Sequence, residues 1–359
     1  MEDFDNPAKT NSHRWWIGSA VLAVLALAYG GLWLMLAFGS RDTVLQWIDD
    51  QRGHGFAVHY DNLEVTGFPL SIRLEFTNPG FGAPNATHPW SWEGAHLGLL
   101  FKPWNMRSLA AITSGQQVLA IPIKGKTEIF KGEAALIEAI LDLSGTGAKS
   151  AKLMIEQINL KAESPTLAAI RIKQANVHVE RLITGKADHQ TASASLALSL
   201  KGLGGPWLAA SPLGGDIQKL IFKARQMGSF DKGPLIQSLE NWRDSGGTME
   251  ISKLALQHGP LKISADGTLA LDDKLQPIGA LTARMEGFFE TIDALKNLGA
   301  VKPRDAITAK MVLGVLSRRS ENGAPAHLNL ALSAQGNKLY AGPIALMEIP
   351  EIDWRAFRK

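Results

Sequence analysis

Trp15 to Phe38, WWIGSAVLAVLALAYGGLWLMLAF, runs for twenty-four residues without a charged side chain. At about 1.5 Å per residue a helix of that length covers roughly 36 Å, more than a hydrocarbon core of about 30 Å. The stretch reads as a membrane span, and the rest of the chain as one large body hung from it. A cleaved secretory signal is the competing reading, because Ala37 and Gly39 are small residues suited to a peptidase. A signal's apolar region is usually about 7–15 residues. The greater length here, with Trp15, Trp16 and Trp33 near its ends, favours an uncleaved anchor. Lys9 and Arg14 before the span balance Arg41 and Arg52 after it, so charge does not orient it. The long segment that follows sets the expectation instead: a cytoplasmic amino terminus and a body outside the inner membrane.

Composition narrows the body. The chain has no cysteine, which removes disulfides, thiolate metal sites and cysteine nucleophiles. Its 37 Lys and Arg against 34 Asp and Glu, with no basic block, argue against a nucleic-acid partner. Many Leu, Ile and Val residues alternate with Ser, Lys, Gln and Thr among 35 glycines, a pattern of strands and turns.

Arg41 to Arg52 predicts a short amphipathic helix with Val44, Leu45 and Ile48 on one face, stopped at Gly53 and Gly55 and lying either at the membrane surface or on the first sheet. Leu70, Ile72, Leu74 and Phe76 alternate with polar residues in the clearest strand of the chain. A block with Trp90, Trp92, Leu97, Leu99 and Phe101 follows, and short alternating runs continue to Leu203. Beyond it, Pro234 opens a helix ended at Gly246 and Gly247. Four short strands come next, with Asp266-Gly267 read as a hairpin turn, then two helices around Phe288–Leu298 and Pro303–Val315, and a last hairpin turning at Gly336-Asn337. The organisation read is a tail over 1–14, an anchor over 15–38, a β-rich half over 41–203, a Gly/Pro-rich connection over 204–215, and an α+β half over 216–359. The fold class is α+β weighted to β, a transmembrane helix followed by a long, mostly antiparallel sheet with a few packed helices.

The order of several short motifs resembles a known family. Val65-Thr-Gly67-Phe68-Pro69 precedes the alternating strand, followed by Lys102-Pro103-Trp104, Trp242-Arg243 with Gly246-Gly247, His258-Gly-Pro-Leu261, and Gly342-Pro343 before a terminal apolar stretch. Together with the span these resemble the bacterial domain-of-unknown-function family 2125, over nearly the whole chain, and more distantly the AsmA-like envelope proteins. The resemblance implies an inner-membrane-anchored periplasmic protein linked to outer-membrane maintenance or lipid traffic, and it brings no catalytic residue.

A search for chemistry yields no usable constellation. Ser144 to Ser150 echoes a phosphate loop but lacks the first glycine at the required distance and has Ala148 where the glycine before the lysine belongs, no His-Glu-x-x-His or Gly-x-Ser-x-Gly is present, and His54 and His59 make a poor metal pair. Asp272-Asp273 and Glu286/Glu290 fit turns and solvated helix faces. No catalytic residue, cofactor or metal is expected, and the protein is not read as an enzyme. A one-sided sheet with too few helices to cover it leaves an apolar face or groove free, which predicts lipid binding at Leu70, Ile72, Leu74, Phe76, Trp90 and Trp92. The expected partners are the membrane and a phospholipid or other envelope lipid. The alternative is a structural or assembly factor that binds envelope proteins.

Overall fold

The computed structural model describes residues 12–145, 147–183, 185–231, 233–317 and 326–354. Most of the tail expected over 1–14 lies outside them. One helix, α1 (Ser12–Gly53), opens the chain. The separate helix expected over 41–52 is its continuation, since nothing between Phe38 and Arg52 breaks the backbone ladder. Gly55, with φ +87°, then turns the chain into the sheet.

The strands are β1 (Ala57–His59), β2 (Asn62–Thr66), β3 (Ile72–Thr77), β4 (Gly80–Ala83), β5 (Trp90–Gly94), β6 (His96–Lys102), β7 (Asn105–Ile123), β8 (Lys126–Ser144), β9 (Gly147–Ala162), β10 (Ile170–Arg181), β11 (Ala192–Gly204), β12 (Asp216–Met227), β13 (Thr248–His258), β14 (Leu261–Leu271), β15 (Pro277–Glu286), β16 (His327–Gln335), β17 (Lys338–Ala341) and β18 (Ile344–Glu348). All belong to one antiparallel sheet. From β7 to β18 each strand pairs with the next in sequence. On its other edge β7 carries two leaves: its first half pairs with β6, which leads to β3 and β2, and its second half with β5, which leads to β4 and β1.

Among the described residues three further α-helices interrupt the meander, besides a single 3-10 turn at Pro206–Leu208. They are α2 (Leu235–Asp244) after β12, and α3 (Phe288–Asn297) with α4 (Pro303–Leu316) after β15. The fold is therefore α+β weighted to β. The 204–215 connection joins two neighbouring strands of this same sheet, so the backbone pairing runs through the expected boundary between halves. The four short strands expected over 249–271 are two long ones. A register shift at Ser252-Lys253 breaks the alternation inside β13. Asp266-Gly267 lies inside β14, opposite Thr282 and Leu281, and makes no turn. The hairpin at Gly336-Asn337 forms as expected and His258-Gly-Pro260 makes another, with Gly259, Gly336 and Asn337 at positive φ.

Core formation concentrates under α1. Trp33, Ala37 and Ile48 of the helix are buried together with Ile72, Leu74 and Phe76 of β3. The side of β3 that alternation makes apolar is the side the helix covers.

Candidate functional site

The pairing register assembles the site. In an antiparallel sheet, directly opposed residues project to the same side. Ile137 pairs with Ile155, Ile155 with Ala175, and Ala175 with Leu200. Leu200 pairs with Leu220, Leu220 with Leu256, and Leu256 with Ile263. Ile263 pairs with Met285 and Met285 with Leu328. A second row, one residue pair further along the strands, runs through Leu153, Val177, Leu198, Phe222, Leu254, Ala265, Ala283 and Leu330. Neither row contains a charged side chain. Their sequence neighbours on the opposite side include Lys152, His178, Ser199, Lys223, Lys262, Arg284 and Asn329. This inner face is half-buried, not sealed: Leu153, Val177, Leu198, Phe222 and Leu254 all keep part of their surface in contact with solvent. Among the described residues, helix contacts with the sheet are made chiefly at β1 and β3 by α1 and at β14 by α3.

A crease keeps the face continuous. The β7–β8 register shifts by one between Thr113 and Gly115, and the β12–β13 register shifts by one between Ile217 and Lys219. Between these shifts the pairing lapses at Ala135, Gln157, Lys173 and Gly202, in a line across the strands, with Gly115, Gln157 and Gly202 in the left-handed region. An extra residue in a strand turns two neighbours to one side. The apolar phase accordingly changes from Phe130, Leu160 and Ile170, a buried cluster, to Ile137, Ile155 and Ala175. Strict alternation would have sent the two sets to opposite faces. On β7 the side chains of Thr113 and Gln117 meet at 3.3 Å across the bend, which places them on one side.

Two hollows lie near the ends of these strands. One, of about 680 Å³, is lined by Ala151, Val179, Ala194 and Phe230 together with Lys149, Arg181, Lys186 and Asp231, and Lys186 meets Asp231 at 3.3 Å. The other, of about 1000 Å³, lies at the crease, lined by Lys131, Lys161, Arg171 and Lys173, on the side of the strands away from Phe130 and Leu160. Its charges are partly paired: Lys131 meets Glu163 at 2.6 Å and Arg171 meets Asp216 at 2.7 Å. The hydrogen bond to Glu163 holds the Lys131 ammonium above its ordinary pKa. Near the other strand ends, hydroxyls of Ser108 and Ser150 donate to Asp142 and hold its carboxyl below the usual range.

The residues predicted from sequence fall in three places. Leu70 sits in the loop before β3 and is 69% exposed. Ile72 and Leu74 have no exposed surface, and Phe76 is buried beside them, so α1 occupies the face that was expected to hold lipid there. Trp92 and Phe76 come together around an apolar cavity of about 280 Å³, walled also by Trp47, Val58, Phe81 and Leu99. The Trp92 indole donates to Gln117 at 2.8 Å, and Trp90 lies against Phe81 with ring centroids 5.6 Å apart. Residues 137–330 of the inner face were not singled out from sequence; the signal was present in each alternating strand, but its phase reverses at the crease.

His54 and Asp272 have structural roles. The His54 ring contacts the Asp50 carbonyl, and Asp272 accepts the N–H groups of Lys274 and Gln276 in a turn. Among the described residues no group of three or more His, Asp or Glu side chains is arranged to hold a metal.

These features define a class: a protein with one long apolar helix and an extended antiparallel sheet crossed on one face by charge-free apolar rows. The chain belongs to the family described as an uncharacterized protein conserved in bacteria (DUF2125), whose profile matches residues 33–350. No curated protein and no solved structure matches it.

Proposed function

We propose that this is a non-enzymatic, lipid-binding protein of the bacterial envelope, anchored in the inner membrane by α1 with its body in the periplasm, and that the inner face of the sheet carries acyl chains. The observation that carries the reading is the pair of charge-free rows crossing β8–β16; among the described residues the helices pack on the sheet chiefly at β1, β3 and β14, and α2 meets β12 at its end, where Trp242 donates to the Met227 carbonyl. Transfer of apolar surface out of water is favourable by roughly 25 cal/mol per Å², so such a face in contact with water gains from an apolar occupant. The hollow of about 680 Å³ suits the polar end of the same molecule, because three cations, Lys149, Arg181 and Lys186, line it against one carboxylate, Asp231. An uncleaved anchor fits the packing: α1 passes unbroken through the Ala37–Gly39 region, and Ala37 is buried against the body.

Photo-crosslinking in growing cells tests the proposal, using a benzophenone amino acid at Leu198 or at Ala197. These neighbours project to opposite faces. Phosphate-labelled lipid should attach at Leu198 and not at Ala197. Equal labelling at both positions, or none at Leu198, would sink the carrier reading.

A second reading, a scaffold for envelope proteins, draws on one observation. Helix α4 exposes Ile307, Met311, Val312 and Val315 on one side. Crosslinks from Met311 to protein, with none from Leu198 to lipid, would favour it.

A further inference from the structure

The helix α1 is a depth gauge for the body, because the same residues that belong to its apolar stretch also grip a loop of the sheet. The Tyr29 hydroxyl donates to the Pro69 carbonyl, the Trp33 indole donates to the Ser71 carbonyl at 2.9 Å, and the Phe68 ring packs edge-on against Trp33 at 5.3 Å. Tyr29 lies nine positions before Phe38, the end of the uncharged stretch, which is about 14 Å along the helix axis. The stretch exceeds a hydrocarbon core by only about 6 Å, so even with the whole excess on the body side Tyr29 stays about 8 Å inside the apolar layer. Helical side chains lean toward the amino terminus, which places the Tyr29 hydroxyl deeper, not shallower.

We infer that the Gly67–Ser71 loop is a membrane-embedded wedge that seats the proximal end of the sheet in the lipid leaflet facing the body. This rests on the reading of α1 as a span and does not require bound lipid cargo. Two properties of the loop match an apolar medium. Its outward side chains are Phe68 and Leu70, 59% and 69% exposed. Its carbonyls at three positions have internal partners: Pro69 and Ser71 from the helix, and Gly67 from the Ser71 N–H at 2.9 Å and the Ser71 hydroxyl at 3.2 Å. Backbone groups in lipid need such partners because water is absent. Gly67 is required for the closure, since a Cβ there would lie 2.6 Å from the Ser71 hydroxyl oxygen and 2.7 Å from its carbonyl oxygen. The neighbouring β6–β7 turn adds Trp104, also exposed, flanked by exposed Lys102 and Arg107, an arrangement suited to the headgroup layer. Strand ends from β9 to β12 that line the hollow of about 680 Å³ lie at this same end of the sheet.

Because the chain lacks cysteine, single reporters can be placed at will. The full chain is reconstituted in phosphatidylethanolamine/phosphatidylglycerol vesicles containing acyl-chain spin labels, with a fluorophore on Leu70→Cys, Leu25→Cys or Trp207→Cys. Leu25 lies in the apolar stretch, and Trp207 in the β11–β12 connection at the opposite end of the strands. The expected result is quenching at Leu70 comparable to that at Leu25 and several-fold stronger than at Trp207. Strong quenching at Leu25 with Leu70 no more quenched than Trp207 overturns the wedge while leaving the anchor standing. No quenching at Leu25 overturns the anchor and the wedge with it.

Discussion

Leu74 shows how much one residue carries. It has no exposed surface, and α1 holds it through Val44, Leu45 and Ile48. Leu74→Ala leaves a cavity where helix meets sheet and is expected to cost about 2–5 kcal/mol. Unfolding of the full chain in mild detergent should show the lower midpoint, whereas Leu70→Ala, at an exposed position, should leave it unchanged. Gly267 makes the complementary case, since a Cβ there would lie 2.2 Å from the Ala280 carbonyl oxygen of the neighbouring strand. Backbone cannot move aside as a side-chain tip can. Gly267→Ala should therefore destabilise by about 1–3 kcal/mol in the same assay, with protease cutting increased in β14 and β15. Both residues were visible in the sequence with different success. The 70–76 alternation gave Leu74 its correct side, but its cover comes from a helix whose residues are some thirty positions earlier. Asp266-Gly267 has the local chemistry of a hairpin, and only the long pairing of β14 with β15 overrides it.

At the scale of elements, what could be read depended on whether local preference and tertiary role agreed. Helices α2 and α3 have amphipathic spacing with glycine or proline at their ends, α4 opens on Pro303, and all three form where expected. Strand β8 is the opposite case: Glu133 to Leu141, EAALIEAIL, is rich in helix formers, yet it is held as strand along both edges by β7 and β9. The crease is equally opaque in sequence, because the extra residue in each strand is defined only by its neighbours. The α3–α4 pair allows a pH prediction. Lys310 bonds Asp293 at 2.6 Å and, with Lys296, holds its carboxyl below the ordinary value. A depressed carboxylate stabilises the fold above its unfolded pKa of about 3.9, and that stabilisation is lost as pH falls through the lower folded value. Hydrogen exchange in α4, corrected for intrinsic rate, should stay level from about pH 7 to pH 5 and rise only below about pH 4. Both side chains are partly exposed, so the effect is expected to be local loosening and not global unfolding. Lys310→Met should produce the same loosening already at neutral pH.

For the whole molecule, the question is whether the inner face acts as separate patches or as one path. Its rows cross from β8 to β16 without a charge, eight strand spacings of about 4.8 Å, or roughly 38 Å measured across the sheet. That exceeds the depth of one lipid leaflet, about 15 Å of hydrocarbon. Lipid reaching β16 from the α1 side of the sheet therefore has to move along the face, passing Val177, Leu198 and Phe222 on the way. A charge in the middle should act as a barrier. An arginine surrounded by hydrocarbon costs about 2.5–3.5 kcal/mol, which lowers occupancy of the central site roughly 100-fold. In Leu198→Arg, a benzophenone at Leu141, on the α1 side of the substitution, should still capture lipid, while one at Leu330 on β16 should lose it. Ala197→Arg, one residue away on the polar side, should leave both signals intact. Loss at Leu141 and Leu330 together would mean that the substitution disturbs the fold, which protease resistance of the sheet would reveal. Retention at both, with the sheet intact, would mean that β16 takes its lipid by another route, and the continuous face would then be a set of separate sites.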